Sequence, residues 1–146
     1  MSKVEDFLSK KDEEEIIEAI RKAESHTSGE VRVHLEKTTG EKDIFDRAME
    51  VFHMLKMDNT KHDNGVLIYV AVEDHNFVIY GDKGINDVVP DDFWESTKDA
   101  IVEKFKKREF KQGLVNGILT AGQQLKKHFP WSEDTRDELS NEISKG

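Results

Sequence analysis

The chain contains no cysteine, only 2 prolines in 146 residues, and no apolar run that approaches the length of a membrane span. The first absence excludes a disulfide framework, thiolate metal sites and a cysteine nucleophile. The last argues against a transmembrane helix, which needs about 20 consecutive apolar residues. The opening segment, Met1-Ser2-Lys3-Val4-Glu5-Asp6, also lacks the apolar stretch of a secretion signal. The expectation is therefore a soluble, cytoplasmic protein without membrane insertion. Positive charge is in deficit as well: 22 Lys and Arg against 31 Asp and Glu give a formal net charge of −9. A protein that neutralises phosphates needs a basic face, so no nucleic-acid partner is expected. A cation or a basic protein partner suits this balance better.

Hydrophobic residues make up 36% of the chain and charged residues another 36%, and mean hydropathy is −0.71. The apolar positions nevertheless recur at helix and strand periods, which marks a folded domain with a charged surface rather than a disordered chain. A chain of 146 residues can bury a core without covalent or metal staples. The pattern places one α/β domain over residues 1–128 and an acidic polar tail over residues 129–146, and a monomer is expected.

Ser9 marks the N-cap of a first helix, with Asp12 in capping-box position and Ile16, Ile17, Ile20 and Ala23 as its apolar stripe. Thr27-Ser28-Gly29 ends it. Val31, Val33 and Leu35 then alternate with Arg32, His34 and Glu36, which predicts a strand with one apolar and one wet face. A second helix carries Ile44, Ala48, Val51, Phe52 and Leu55. The run Val66 to Val72 is too short for a membrane and too β-branched for a surface helix, so it predicts a buried central strand. A turn near Asp74-His75-Asn76 returns the chain antiparallel from Phe77 to Tyr80. Pro90-Asp91-Asp92 suits the first turn of a third helix bearing Phe93, Trp94, Ile101 and Phe105. A last helix from about Phe110 carries Leu114, Ile118, Ala121 and Leu125, with Gly113, Gly117 and Gly122 permitting close backbone approach. Strand–helix–strand order implies a parallel pair, and the hairpin adds an antiparallel strand. The fold class is α/β: a mixed sheet of three to four strands with helices on both faces, a three-layer α/β/α sandwich.

Familiar chemical motifs are missing. Gly81-Asp82-Lys83-Gly84 has neither the dinucleotide glycine spacing nor the lysine-serine ending of a P-loop, and turn geometry explains its glycines. The six histidines show no paired zinc spacing and read as surface residues. No EF-hand register and no nucleophile elbow is present. What remains is an acidic sheet edge. If Asp74-His75 forms a two-residue turn, Asp63 faces Asn86; with a three-residue turn it faces Asp87. The first strand, lying beside the central one, brings Glu30 to the same edge. Asp63, Asn64, Asp82, Asn86, Asp87 and Glu30 could then supply the carboxylate, amide and carbonyl oxygens that Ca²⁺ takes, or the smaller set, completed by water, that Mg²⁺ takes. The opposite edge competes, since ligands of open α/β sheets usually sit beyond the carboxyl ends of parallel strands. Here that edge holds Glu36, Thr38, Thr39, Gly40 and Asp43 with Glu73 and Asp74, and general topology favours it.

Four segments shift the balance. Ala23-Glu24-Ser25-His26-Thr27-Ser28-Gly29-Glu30-Val31-Arg32-Val33, Asp63-Asn64-Gly65-Val66-Leu67-Ile68, Gly84-Ile85, and Phe110-Lys111-Gln112-Gly113-Leu114 with Gly117-Ile118 occur in this order. Together they resemble the TPM domain family over roughly residues 12–128, in the stand-alone soluble form found in bacteria. The resemblance implies a mixed sheet with helices on both sides, divalent metal binding, and, for some plant members, an acid phosphatase activity. It selects the Asp63 edge. Two departures stand out: Asn86 occupies a position where many members carry an acid, and the signal peptide and membrane anchor of many members are absent. The expected function is a divalent metal-binding accessory or interaction module. A metal-assisted acid phosphatase is the alternative, and a metal-free protein-binding scaffold using Trp131 and the acidic tail is the third reading.

Overall fold

Seven consecutive apolar residues offer water no polar face, so they must be covered on both sides. In the computed structural model, which describes residues 7–60, 62–131 and 143–145, all of them but Val72 lie in the strand Gly65–Ala71, every residue of which is buried. In chain order the elements are α1 (Lys10–Glu24), β1 (Glu30–Glu36), α2 (Ile44–Met54), β2 (Gly65–Ala71), β3 (Asn76–Gly81), α3 (Lys83–Asn86), α4 (Glu95–Phe105), α5 (Phe110–His128) and β4 (Ser144–Lys145). The sheet order is β3-β2-β1-β4, with β1 parallel to β2 and β4, and β3 antiparallel to β2.

Alternation along β2 feeds two cores. Val66, Ile68 and Val70 point into the larger one, with Ile16, Ile20, Leu114 and Ile118 of α1 and α5. Leu67, Tyr69 and Ala71 point into the smaller one, under Ala48, Val51 and Phe52 of α2. The three-layer α/β sandwich is therefore present. Ser9 caps α1 as its sequence predicts: its hydroxyl accepts from the Asp12 amide at 3.0 Å, and the Asp12 carboxylate accepts from the Ser9 amide at 3.2 Å. Gly117 lets α5 seat against α4, since a Cβ there would lie 2.5 Å from Ile101 Cγ1.

Four expectations are corrected. The face of β1 carrying Arg32, His34 and Glu36 is not wet: His34 and Glu36 are buried, because α2 supplies a guanidinium to Glu36 and Ser144 of β4 covers the edge beside His34. His34 is accordingly not a surface histidine. Pro90-Asp91-Asp92 does not start a helix. Phe93 N donates to Pro90 O and Glu95 N to Asp92 O, so the segment forms successive four-residue turns that place Phe93 in the core, and α4 begins at Glu95. The third correction is the hairpin register.

Ala71 pairs with Asn76, which leaves Val72, Glu73, Asp74 and His75 as the connection. Neither shorter turn forms, because β1 holds the strand beyond the hairpin: Val72 N donates to Glu36 O at 2.8 Å and Glu73 N to Lys37 O at 2.9 Å. His75, at φ 52°, completes the reversal. Asp63 therefore faces neither Asn86 nor Asp87. Instead Asp82 N donates to Gly65 O at 2.9 Å, and Gly84 lies directly on the backbone of residues 62–63. The fourth correction concerns Gly84 itself: close approach, not a turn, demands the glycine there. Residues 132–142 of the expected tail lie outside the described residues, while Ser144–Lys145 adds the short fourth strand.

A Cβ on Gly84 would sit 2.5 Å from the His62 carbonyl oxygen and nearer still to that of Asp63. Gly84→Ala should therefore lower unfolding stability by about 1–3 kcal/mol through overpacking against backbone that cannot swing aside. Lys83→Ala, whose side chain is 75% exposed, should change it by less than about 0.5 kcal/mol. Urea unfolding midpoints at unchanged slope measure both.

Candidate functional site

The edge where β2 begins gathers residues from three strands. Glu30 pairs with Gly65, and Gly65 in turn receives the Asp82 amide, so Glu30, Gly65 and Asp82 lie side by side across the sheet. Alternation puts Glu30 and Asp82 on the face that α2 covers. Asn64 is buried: its carbonyl accepts from Glu30 N at 3.3 Å and its amide donates to Ser28 Oγ at 3.2 Å. Asp63 adopts a left-handed φ of 51° and its carboxylate lies 3.9 Å from Lys83 Nζ. Asn86 and Asp87 do not join this group through pairing register. The Asn86 amide donates to Gly81 O at 3.1 Å, and Asp87 is exposed at the far end of α3.

Asp82 is the outlier. It caps α3 through one oxygen, Oδ1, which accepts from Lys83 N at 2.8 Å. The residue is only 7% exposed, and its other oxygen, Oδ2, is buried without a hydrogen-bond partner. Burial pushes its pKa up, the Lys83 amide opposes this, and the negative charges of Asp63 and Asp58 push it further up. Asp58, on the loop after α2, is the acid that the sequence reading missed. Its spacing from Asp63 carries no strand or helix period, so only the fold brings it near. Among the described residues, no three histidine or acidic side chains form a group that could hold a metal ion. The donors fit an ion held by one or two carboxylates plus water, the Mg²⁺ habit, better than an all-protein Ca²⁺ cage.

At the other end of the parallel strands the buried carboxylate, Glu36, is fully partnered, while the neighbouring His34 Nε2 has no hydrogen bond. Arg47 of α2 grips Glu36 with two hydrogen bonds, Nε to Oε2 at 2.8 Å and Nη2 to Oε1 at 2.6 Å. The Tyr69 hydroxyl donates to Glu36 Oε2, and His34 Nε2 lies 3.5 Å from Oε1. The His34 ring stacks on Tyr69 with centroids 5.7 Å apart, and its Nδ1 meets Ser144 Oγ at 2.9 Å. The Arg47 hydrogen bonds outweigh burial and hold the Glu36 pKa at about 2. Burial lowers the pKa of His34 despite the attraction of Glu36, and raises that of Tyr69. The rest of this edge is likewise engaged: Asp74 accepts from the Thr38 hydroxyl at 3.0 Å and from Thr39 N at 3.2 Å, and Asp43 caps α2. This is a structural ion network, with its acceptors filled.

Among the described residues no helix is long and apolar enough to cross a membrane. Trp131 is 52% exposed. Comparison with known proteins gives a family model, described as the TPM domain, that matches residues 1–124. Curated protein sequences give no match. The chain is similar over 100% of both lengths to the BA42 protein of the psychrophilic bacterium Bizionia argentinensis, solved by NMR, at 67% identity and a TM-score of 0.92. The N-terminal domain of a P. gingivalis protein aligns at 21% identity and a TM-score of 0.69, over 84% of this chain and 79% of that one. The N-terminal domain of the Corynebacterium glutamicum cg2496 protein aligns at 13% identity and 0.65, over 80% and 72%. At such identities the last two speak for the fold alone.

The Glu36 network dictates an acid profile. His34 has a folded pKa below its unfolded value of 6.5, so the unfolded chain takes up its proton first and stability falls as pH drops below about 6.5. Glu36 is depressed from 4.5 to about 2, so its contribution is complete above about pH 4.5 and is lost as pH falls toward 2. Thermal midpoints should therefore decline in two steps on acidification. His34→Gln should remove the first. Glu36→Gln should remove the second and, by taking the main carboxylate from the partly exposed Arg47, lower stability at neutral pH by about 1–3 kcal/mol.

Proposed function

The chain belongs to the TPM domain family, and from that premise we propose that it is a small divalent cation-binding accessory domain. Asp82 and Asp63 are the carboxylates that would hold the ion. Asn64 and Glu30 lie beside them, and Asn86 and Asp87 border the site through α3. One observation carries the reading: the buried Oδ2 of Asp82 has no hydrogen-bond partner. Buried polar groups are nearly always satisfied, and Asp82 Oδ2 is the one carboxylate oxygen among the five open buried side-chain atoms of the described residues. The group is a carboxylate oxygen, so the ligand that suits it is a proton donor or a cation. The neighbouring charges of Asp63 and Asp58 favour added positive charge there, a proton or a cation alike. When bound, the ion would supply fixed positive charge at a sheet edge and a coordination sphere open to water or to an oxygen of a partner.

Isothermal titration of the full chain with Mg²⁺, Ca²⁺ and Mn²⁺, with amide chemical shifts recorded in parallel, tests this. Saturable binding is expected, with shifts concentrated at residues 63–65 and 82–84, and Asp82→Asn should weaken it at least about tenfold. Asp74→Asn, at the opposite sheet end, should leave it unchanged. Neither heat nor shifts with any of the three ions would overturn the reading. The same samples address phosphatase chemistry: turnover of a phosphomonoester that requires the ion and falls in Asp82→Asn would add catalysis to binding.

A further inference from the structure

Beyond the far end of β2 from Asp82, a cavity of about 340 Å³ opens between the β2–β3 connection and the corner that joins α4 to α5. Its body is aromatic. Phe7, Phe77, Phe105 and Phe110 line it and touch one another, with ring centroids 4.6 Å apart for Phe7–Phe110, 5.3 Å for Phe105–Phe110 and 5.5 Å for Phe77–Phe105. All four rings stay partly exposed. Val70, Ala71, Val72 and Val102 complete the apolar wall. A volume of this size is at the small end of ligand pockets, which are mostly apolar with a few polar groups fixing orientation.

The polar groups are confined to the rim. His75, Asn76 and Lys106 are the polar side chains among the lining residues, and all three are exposed. Lys106 makes no ion pair among the described residues. It also stands in the most cationic segment of an acidic chain: residues 104–111, Lys-Phe-Lys-Lys-Arg-Glu-Phe-Lys, carry five cations and one carboxylate. Lys104 is matched by Glu109 at 3.6 Å and Lys111 by Glu15 at 3.5 Å, which leaves Lys106 at the cavity mouth unmatched among the described residues. The acids nearest in sequence do not line it, and the Asp74 carboxylate is held by Thr38 and Thr39.

An apolar, aromatic hollow with an unmatched ammonium at its mouth is complementary to an amphiphile with an anionic head. The geometry points to a binding site for a medium-chain carboxylate, a free fatty acid, with its chain among Phe7, Phe77, Phe105 and Phe110 and its carboxylate on Lys106. The site lies beyond the carboxyl ends of the parallel strands, where open α/β sheets hold their ligands. It is independent of the cation site, at the other end of β2.

The test titrates the full chain with hexanoate, octanoate and decanoate below their micellar concentrations, followed by amide and aromatic NMR shifts. Saturable one-to-one binding is expected, with shifts on residues 70–77 and 102–110. Affinity should rise about fourfold per added methylene until the cavity is full. Decanol should bind at least about fivefold more weakly than decanoate, since it leaves Lys106 without a counter-charge. Lys106→Glu should weaken decanoate at least about tenfold while leaving decanol unchanged. Val102→Trp, which fills the hollow, should abolish both; because Lys106 is exposed, Lys106→Glu decides the matter even if Val102→Trp fails to fold. The proposal is overturned by an absence of saturable shifts, by shifts scattered over the surface, by equal binding of decanol, or by an unaltered response in Lys106→Glu. Co-sedimentation with phosphatidylglycerol vesicles without any response to monomeric decanoate would overturn it too, and would assign residues 104–111 to a membrane surface instead.

Discussion

A strand whose seven residues are all buried leaves its backbone amides and carbonyls nowhere to go except into ladders on either side, and its side chains nowhere except into two cores. β2 meets both demands at once. β1 and β3 take its hydrogen bonds, α1 and α5 close one face and α2 closes the other. The consequence reaches beyond packing. With the middle of the sheet committed to apolar contact, polar chemistry is pushed to the two ends of β2, and every titratable group with a displaced pKa near the sheet lies toward one end or the other.

The two ends treat buried charge in opposite ways. At the carboxyl end Glu36 receives Arg47 in a fork and the Tyr69 hydroxyl besides, so its negative charge is stabilised more than burial destabilises it. Such a network specifies how α2 sits on the sheet and leaves the Glu36 carboxylate no open valence for a ligand. At the amino end Asp82 is also buried, but only one oxygen is used, and the nearest charges are negative. Leaving a buried acceptor unsatisfied costs about 1–3 kcal/mol.

What could be read from the residues followed from local rules. The Ser9–Asp12 cap, the stripes of α1, α2 and α5, and the two-sided burial of β2 depend on spacing within a few positions, and spacing is visible in a sequence. The hairpin register was not visible, because Glu36 at the end of β1 and Lys37 just beyond it, not the turn residues, hold Val72 and Glu73 out of the hairpin. The burial of His34 depends on Ser144, 110 positions away, and the nearness of Asp58 to Asp82 on how α2 returns to the sheet. The candidate edge was thus named from its acids and its family resemblance. The residue that distinguishes it, Asp82, was one of six named, and only burial and an open oxygen single it out.

The fold itself cannot decide between a binding domain and an enzyme. Domains only 21% and 13% identical to this chain superpose with TM-scores of 0.69 and 0.65. The architecture therefore tolerates wide change in sequence, and function must be argued from the site. Here the site is built on stiff backbone. Asp82 begins α3, its amide is tied to Gly65, and Gly84 is pressed onto residues 62–63, so the two carboxylates of Asp63 and Asp82 hang from chain segments that pack without intervening side chains. Rigid placement lowers the ordering cost of binding. A carboxylate that merely decorated the surface would need no such support, and its second oxygen would be in water.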